Sequence, residues 1–196
     1  MNWLYKSIYF AYMVMELIVR IPYDQQRRKI AKTDQRVTNT ERGLLAGISL
    51  GTLFIPLIYS VTHWLDIANY RLSRGQRQTA GGLGTLIMAG ALWLFWRSHH
   101  DLGKHWSPSL EIEEQHSLIT HGVYSRIRHP MYASQWLWCL AQALLLQNWI
   151  AGFSSLVSFI PFYFLRVRAE ERMMLDHFGD SYREYCEQTG RVLPKY

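Results

Sequence analysis

Two short polar segments carry the residue types that could do chemistry, and each of them adjoins a long apolar run. Residues 122–132 contain Tyr124 and His129, and residues 166–171 begin with Arg166. Ionisable side chains beside apolar runs are costly in a membrane setting, so they concentrate where they have a function. The chemistry that these segments could support is the binding and orientation of charged groups at a membrane surface.

The dipeptide His129-Pro130 predicts where a helix begins. Proline disfavours helical geometry in the residue before it and is favoured as the first helical residue. We therefore expect a helix to start at Pro130, with His129 close to its cap. Free backbone N–H groups and the positive end of the helix dipole would then face Tyr124, Arg128 and His129, which suits an anionic group.

Arg166 and Glu170 are expected to share one face of a helix, because side chains four residues apart lie one turn above the other. A surface ion pair contributing about 0–1 kcal/mol is the alternative reading. Arg168 and Glu171 fit that alternative better, although Glu171 takes the place of Glu170 if the helix is rotated. We favour a functional role for Arg166 and Glu170 because the hairpin inferred below brings them near Pro130.

A further polar cluster has the composition of a metal site but not its spacing. Zinc is usually held by well-spaced His, Cys and carboxylate ligands. Here His99, His100, Asp101 and His105 crowd together at the end of an apolar run. We interpret the cluster as a titratable interfacial segment and predict no metal site.

Five apolar segments approach the length of about 20 residues that a membrane-spanning helix needs. They are residues 3–21, 43–64, 80–96, 130–147 and 149–165. The first carries Lys6 and Glu16, so an interfacial position is its alternative. Only Gln147-Asn148 separates the last two, and so short a connection cannot recross a bilayer. These two segments must therefore form an antiparallel helical hairpin.

The helical pattern of the last segment continues to about Phe178, where Gly179 interrupts it, and residues 181–188 predict another short helix. The predicted fold class is thus all-α. It is an integral membrane bundle of about five transmembrane helices with a helical C-terminal region and no Rossmann fold.

The glycines of residues 81–90 are interpreted as sites of close helix packing rather than as a phosphate-binding loop.

The chain of 196 residues is expected to form one domain. Within residues 1–196, the N-terminal spans occupy residues 1–97 and the catalytic part occupies residues 98–196. Cys139 lies in an apolar run and Cys186 in the polar tail, so we expect free thiols rather than a disulfide.

The net charge of +6 would suit either nucleic acid or anionic lipid. The basic residues lie in the segments that connect the apolar runs, which favours lipid. Lys and Arg are concentrated in alternate connections, and such connections face the cytoplasm in membrane proteins. The sequence therefore predicts a multi-pass membrane protein whose two polar segments face the cytoplasm.

A series of short motifs runs through the C-terminal half of the chain. They are Leu102-Gly103, His116-Ser117-Leu118-Ile119, Gly122-x-Tyr124, Arg128-His129-Pro130-x-Tyr132, Glu170-Glu171, Phe178-Gly179-x-x-Tyr182-x-x-Tyr185 and Leu193-Pro194. Together they resemble the isoprenylcysteine carboxyl methyltransferase family. The same motifs are similar to the wider group of membrane methyltransferases that includes phospholipid N-methyltransferases.

The resemblance implies an integral membrane enzyme that uses S-adenosylmethionine without the soluble methyltransferase fold. It implies that Arg166 binds the carboxylate of the acceptor and that Arg166 and Glu170 take part in catalysis. The implied cofactor pocket is lined by His116, Ser117, Leu118, Ile119, Tyr124, His129, Pro130, Met131, Tyr132 and Glu170. Glu171 is the alternative to Glu170, because the alignment needs one gap before Phe178.

The expected reaction is methylation of the C-terminal carboxylate of a prenylated cysteine. Such a carboxylate has a pKa of about 3.3–3.7 and is already ionised at neutral pH, so no strong base is needed. The alternative is N-methylation of a phospholipid amine, for which Glu170, His129 or Tyr132 would have to act as a base. A nicotinamide-dependent membrane reductase and a non-enzymatic membrane scaffold are more distant alternatives.

The expected partners follow from the reaction. They are a prenylated cysteine or another lipid-borne acceptor, together with membrane lipid. No nucleic acid and no obligatory protein partner is expected.

Overall fold

The protein is a bundle of helices in a computed structural model that describes residues 3–27, 32–35, 39–103, 111–113 and 117–195. The helices are α1 (Trp3–Arg27), α2 (Asn39–Ser49), α3 (Ile55–Val61), α4 (Arg74–Leu102), α5 (Pro130–Leu146), α6 (Trp149–Phe178) and α7 (Asp180–Gln188). A π-helical turn, Leu50–Phe54, joins α2 to α3. Two short strands, β1 (Lys32–Gln35) and β2 (Glu111–Glu113), pair in antiparallel fashion, which the sequence did not predict.

Three helical stretches in the described part of the chain are long and apolar enough to cross a membrane. They are Arg42–Val61, Arg74–Leu102 and Trp149–Phe178. The first and fourth predicted spans are also helical, as α1 and α5. However, α5 has 17 residues, and α1 carries Lys6, Glu16 and Arg20. A helical bundle is therefore confirmed, whereas the crossing of the membrane by α1 and α5 stays a prediction.

The predicted hairpin is present between α5 and α6. Gln147 ends α5 in the left-handed conformation, with φ of 51°. Asn148 caps α6, because its side-chain oxygen accepts hydrogen bonds from the N–H groups of Ile150 and Ala151. The Gln147 Nε2 atom also donates to the Arg77 carbonyl at 2.9 Å. The tip of the hairpin is thus closed locally and tied to α4.

Helix α4 lies against α1 and α5, and glycines permit part of this contact. A Cβ atom at Gly84 would lie 2.9 Å from Leu144 Cβ, and one at Gly81 would overlap the Tyr5 ring. Gly82 and Gly90 face open space. The prediction of close packing through small residues holds for Gly81 and Gly84 and is wrong for the other two.

A buried polar network fixes the π-helical turn to the hairpin. Gln142 is fully buried, and its Nε2 atom donates to the Gly51 carbonyl at 3.0 Å and to the Ala151 carbonyl at 2.7 Å. The Tyr9 hydroxyl donates to Gln142 Oε1 at 2.8 Å. Since buried polar groups need partners, this network holds α1, the π-helical turn, α5 and α6 in one arrangement.

Helix α6 runs without interruption to Phe178, and Gly179, with φ of 56°, separates it from α7. Both features agree with the sequence prediction. The chain after α7 then returns to the start of α5. There, the Arg128 N–H donates to the Gly190 carbonyl and the His129 N–H donates to the Arg191 carbonyl, each at 2.9 Å. This C-terminal strap, residues 189–195, covers the polar end of the hairpin.

Candidate active site

The first wall of the site is the segment that leads into α5. Helix α5 begins at Pro130, with His129 as its N-cap residue, as predicted. The preceding turn, Gly122–Ser125, is positioned by Asp101 at the end of α4, because the Val123 N–H donates to Asp101 Oδ2 at 2.9 Å. A Cβ atom on Gly122 would overlap the same carboxylate. Asp101, which the sequence placed in a titratable interfacial cluster, therefore anchors the site.

Two other members of that cluster are His99 and His105. His99 is fully buried, and its Nδ1 atom lies 2.9 Å from the Phe95 carbonyl. His105 falls outside the described residues, and so does His116 of the predicted cofactor pocket.

Tyr124 forms a neutral part of the wall. Its side chain is buried, and burial raises its pKa well above the usual value. The Tyr185 hydroxyl of α7 donates to the Tyr124 carbonyl at 2.7 Å, which connects the turn to the C-terminal helix. Tyr124 thus contributes an uncharged surface held from two sides.

Two carboxylates of α6 reach the start of α5 from across the hairpin. The Tyr132 hydroxyl donates to Glu170 Oε2 at 2.6 Å. The two ring nitrogens of His129 face different carboxylates, with Nδ1 3.6 Å from Glu170 Oε1 and Nε2 3.2 Å from Glu171 Oε1. His129 is 5% exposed. Burial lowers the pKa of His129, but its bonds to Glu170 and Glu171 outweigh burial and raise it, which favours the imidazolium form.

Glu171 is engaged by three cationic side chains. Besides His129, Arg128 Nε donates to Glu171 Oε1 at 2.8 Å. Arg191 of the C-terminal strap donates from Nε at 3.0 Å and from Nη2 at 2.6 Å, a two-pronged contact that raises the pKa of Arg191. Glu171 therefore joins the strap, α5 and α6, and Arg191 is a site residue that sequence reasoning missed.

Arg166 lies one turn before Glu170 on α6 and is 6% exposed. Its guanidinium carbon is 5.7 Å from the centroid of the Phe162 ring. Tyr132 interacts with both Arg166 and Glu170. The shared helix face predicted from the four-residue spacing is present, and it is directed at α5 rather than at solvent.

A cavity of about 450 Å³ opens beside these residues. The predicted site residues that line it are Ser117, Leu118, Ile119, Tyr124, His129, Pro130, Met131, Tyr132, Arg166 and Glu170. Glu171 is not among the lining residues, and its carboxylate is bonded to Arg128, His129 and Arg191. One continuous wall thus combines residues from the loop before α5, from α5 and from α6.

The opposite half of the cavity comes from helices that sequence reasoning left out of the site. Its apolar lining residues are Met13 and Leu17 of α1, Leu45 and Ile48 of α2, and Phe95 of α4, and its polar lining residues are Glu16, Arg20, Ser49 and Thr52. Helix α1 packs on α4 and α5, whereas α2 packs on α6. Leu17 is 56% exposed and Leu45 is 37% exposed. The cavity therefore extends from the polar cluster to a surface formed by α1 and α2 that carries both apolar side chains and the charged side chains of Glu16 and Arg20.

Comparisons with known proteins show a family and a fold to which this chain is similar. Residues 83–176 match the model of the isoprenylcysteine carboxyl methyltransferase (ICMT) family. The protein-S-isoprenylcysteine O-methyltransferase A of Arabidopsis thaliana is 31% identical over 112 residues, which are 57% of this chain and 54% of the relative. The Schizosaccharomyces pombe and human proteins of the same name are 31% and 33% identical over 41% and 43% of this chain.

The chain spans about half or less of these relatives, since the match covers 34% of the S. pombe protein and 30% of the human protein. A solved structure described as the eukaryotic intramembrane Ras methyltransferase ICMT superposes with a TM-score of 0.52 at 23% identity. It covers 81% of this chain and 54% of the other. With the three apolar helices, this likeness identifies a multi-pass membrane protein. The family model, the sequence relatives and the fold agree, and residues 83–176 of this chain are similar to the isoprenylcysteine carboxyl methyltransferase family.

Proposed function

We propose that this protein transfers a methyl group from S-adenosylmethionine to the C-terminal carboxylate of a prenylated cysteine. The observation that carries the proposal is the single cavity that joins two unlike surfaces. One is the cluster of buried Arg166 with half-buried Tyr132 and Glu170, and the other is the largely apolar opening between α1 and α2. A lipid-modified amino acid has the same two parts, because a charged end group is attached to a long hydrocarbon chain.

The polar half of the cavity fits the cofactor. The cofactor has an ammonium group that needs an anionic partner, and Glu170 lines this half. Its adenine ring needs an apolar slot, and Leu118, Ile119, Pro130 and Met131 line the same half. The positive end of the helix dipole at the start of α5 favours negative charge and suits the cofactor carboxylate. Glu171 is already satisfied by cations, so we assign cofactor binding to Glu170.

Arg166 would orient the acceptor. Its guanidinium group presents a fork of donors that matches a carboxylate. When bound, the cofactor supplies an electrophilic methyl group on a sulfonium. In the transfer a carboxylate oxygen forms the new C–O bond, the C–S bond breaks, and its electron pair remains on sulfur. The acceptor is already ionised at neutral pH, so the chain does not have to remove a proton.

The apolar half of the cavity would hold the prenyl chain. Burial of apolar surface stabilises such binding by about 25 cal/mol per Å². Met13, Leu17 and Leu45 would contact the hydrocarbon, while the reacting oxygen points at Arg166. Holding both reactants in one cavity converts a bimolecular reaction into an intramolecular one, which is the main contribution expected from the protein.

N-methylation of a phospholipid amine would place different demands on the same residues. An ammonium group must lose a proton before it attacks. Glu170 already accepts a hydrogen bond from Tyr132 and faces His129, which reduces its strength as a base. Arg166 would also repel an ammonium acceptor. These contacts favour the carboxylate acceptor.

We further propose that α1 and α5 cross the membrane together with the three apolar stretches and that the site faces the cytoplasm. The C-terminal strap, the loop before α5 and the end of α6 all lie at one end of the hairpin and carry Arg128, Arg168 and Arg191. Basic residues next to spans favour the cytoplasmic side. A cytoplasmic site would also be open to a water-soluble cofactor.

The test uses the full chain purified in detergent and radiolabelled S-adenosylmethionine. The acceptors are N-acetyl-S-farnesylcysteine and phosphatidylethanolamine, supplied in separate reactions. We expect base-labile label in the farnesylcysteine product and none in the lipid. Label in the lipid alone would contradict the proposed acceptor. Absence of cofactor binding in isothermal titration calorimetry would refute methyl transfer altogether.

A further inference from the structure

A carboxylate on α1 lies in the cavity wall and has no role in the reaction as described. Glu16 lines the cavity together with Gln135 of α5. The Gln135 Nε2 atom donates to Glu16 Oε1 at 3.1 Å. An ionisable residue on a largely apolar helix of a membrane protein is costly and is a functional candidate by default.

Glu16 belongs to the acceptor half of the cavity rather than to the cofactor half. Met13 and Leu17 on the same helix and Leu45 on α2 also line the cavity, and so does Arg20, which lies one turn after Glu16 and interacts with it electrostatically. The proposed cofactor residues lie instead on the loop before α5, on α5 and on α6. A group that meets Glu16 is therefore part of the molecule whose hydrocarbon chain occupies the opening between α1 and α2.

The contacts of Glu16 leave it able to accept another hydrogen bond. Among the described residues, Oε1 accepts from Gln135, and no protein donor is bonded to Oε2. The nearby hydroxyl groups are used elsewhere, since Ser49 donates to the Leu45 carbonyl and Thr52 donates to the Ile48 carbonyl. Glu16 is thus the acidic acceptor on this wall for a donor group of the bound molecule.

Two of the charged side chains that line the cavity, Arg166 and Glu16, match the polarity of one end of an amino acid. Arg166 is positive and would take the carboxylate. A cysteine carries a nitrogen with an N–H group on the same carbon atom as that carboxylate. We infer that Glu16, positioned by Gln135, is a specificity-determining residue that accepts a hydrogen bond from the nitrogen of the prenylated cysteine. This inference depends on the proposed function, because it names a second contact to the same acceptor.

The physical reason is the cost of burying a donor without a partner. An amide or ammonium N–H that enters an apolar opening loses its water, and it regains a hydrogen bond only if the wall provides an acceptor. A site built in this way rejects an analogue that lacks the N–H group, because the acceptor in the wall is then left unpaired.

The experiment compares two acceptors in the methyl transfer assay with the full chain. One is N-acetyl-S-farnesylcysteine, and the other is S-farnesyl-3-mercaptopropionate, which keeps the carboxylate and the farnesyl chain but has no nitrogen. For the wild-type chain we expect kcat/KM to favour the first acceptor by about 10-fold or more. In Glu16→Ala the ratio should fall close to one, with the rate on the second acceptor retained.

Glu16→Gln provides a variant of almost unchanged shape in case Glu16→Ala does not fold. It keeps a neutral acceptor oxygen, so the ratio should fall only partly. Glu184→Ala, at an exposed position of α7, is the matched control and should keep the wild-type ratio. Cofactor affinity measured by calorimetry should be the same in all these proteins.

The outcomes separate this inference from the proposed function. A ratio that stays at the wild-type value in both Glu16 variants overturns the role of Glu16 while leaving the methyl transfer intact. Equal losses on both acceptors overturn it too, because they indicate a structural role. If the wild-type chain methylates neither acceptor but binds the cofactor, the proposed acceptor is wrong and the inference fails with it.

Discussion

The Tyr132 hydroxyl donates a 2.6 Å hydrogen bond to Glu170, which joins the first turn of α5 to the last turns of α6 across the hairpin. The bond is made within the wall of the cavity, and both residues line it. It places a carboxylate oxygen at the start of a helix, where the proposed cofactor would bind. The geometry of the site therefore depends on a contact between two helices rather than on either helix alone.

Removal of the Tyr132 hydroxyl should weaken cofactor binding without abolishing it. A hydrogen bond to a charged group contributes about 1.5–3 kcal/mol, so Tyr132→Phe should reduce cofactor affinity by about 10-fold or more. Isothermal titration calorimetry measures this loss. The matched control is Tyr12→Phe on α1, a position outside the cavity wall that should bind as the wild type does. Equal affinities in the wild type and Tyr132→Phe would show that Glu170 does not hold the cofactor.

Arg166 should affect the acceptor more than the cofactor. Loss of the guanidinium group removes charge-assisted bonds to the carboxylate, and Arg166→Ala should lower kcat/KM for farnesylcysteine by about 10- to 100-fold. Cofactor affinity should remain near the wild-type value. Arg168→Ala, exposed on the same helix, is the control and should be nearly neutral. A collapse of cofactor affinity in Arg166→Ala would disprove the acceptor role.

The C-terminal strap should be needed for stability and for the position of His129. Arg191→Ala removes the two-pronged contact with Glu171 and should lower the thermal midpoint and the cofactor affinity together. Deletion of residues 189–195 also removes the backbone bonds to Arg128 and His129, so its effect should be larger. Differential scanning fluorimetry and calorimetry measure the two effects.

Lys195→Ala is the comparison for the strap, because Lys195 donates only to the exposed Glu187 carbonyl. It should leave both quantities unchanged. Equal effects of Lys195→Ala and Arg191→Ala would mean that the backbone contacts of the strap, and not the contact of Arg191 with Glu171, stabilise the site.

The stability contributed by His129 should depend on pH in a defined direction. Burial alone would lower the pKa of His129, but Glu170 and Glu171 raise it above its value in the unfolded chain. Protonated His129 therefore contributes fully below the unfolded pKa, near 6.5, and the contribution is lost as pH rises through the folded pKa. The difference in unfolding free energy between the wild type and His129→Gln should shrink as pH increases. A difference that is constant, or that grows with pH, would rule out the imidazolium form.

Local preferences in the sequence predicted several features because they act over a few residues. Pro130 sets the start of α5 through its fixed φ angle and its effect on His129. The connection of Gln147 and Asn148 is too short for anything but a hairpin, and Gly179 ends α6 because it adopts a positive φ angle at no steric cost. Spacing along a helix also placed Arg166 and Glu170 on one face.

The π-helical turn and the β1–β2 ribbon could not be predicted from local sequence preferences. The turn depends on Gln142 and Ser154, which are distant in sequence and bond to the Gly51 carbonyl. The ribbon pairs strands that are far apart along the chain. Pairings of this kind are decided by packing, and no local pattern specifies them.

What the sequence by itself determined was the helical plan of this membrane protein and the set of side chains around the start of α5. Only the tertiary structure decided that Glu170 lines the cavity while Glu171 is held by Arg191, and that Glu16 of α1 reaches the same space. The physical reason is that backbone dihedral preferences extend over one or two turns. Whether a charged side chain faces a cavity or a cation depends instead on how the packed helices are rotated relative to one another.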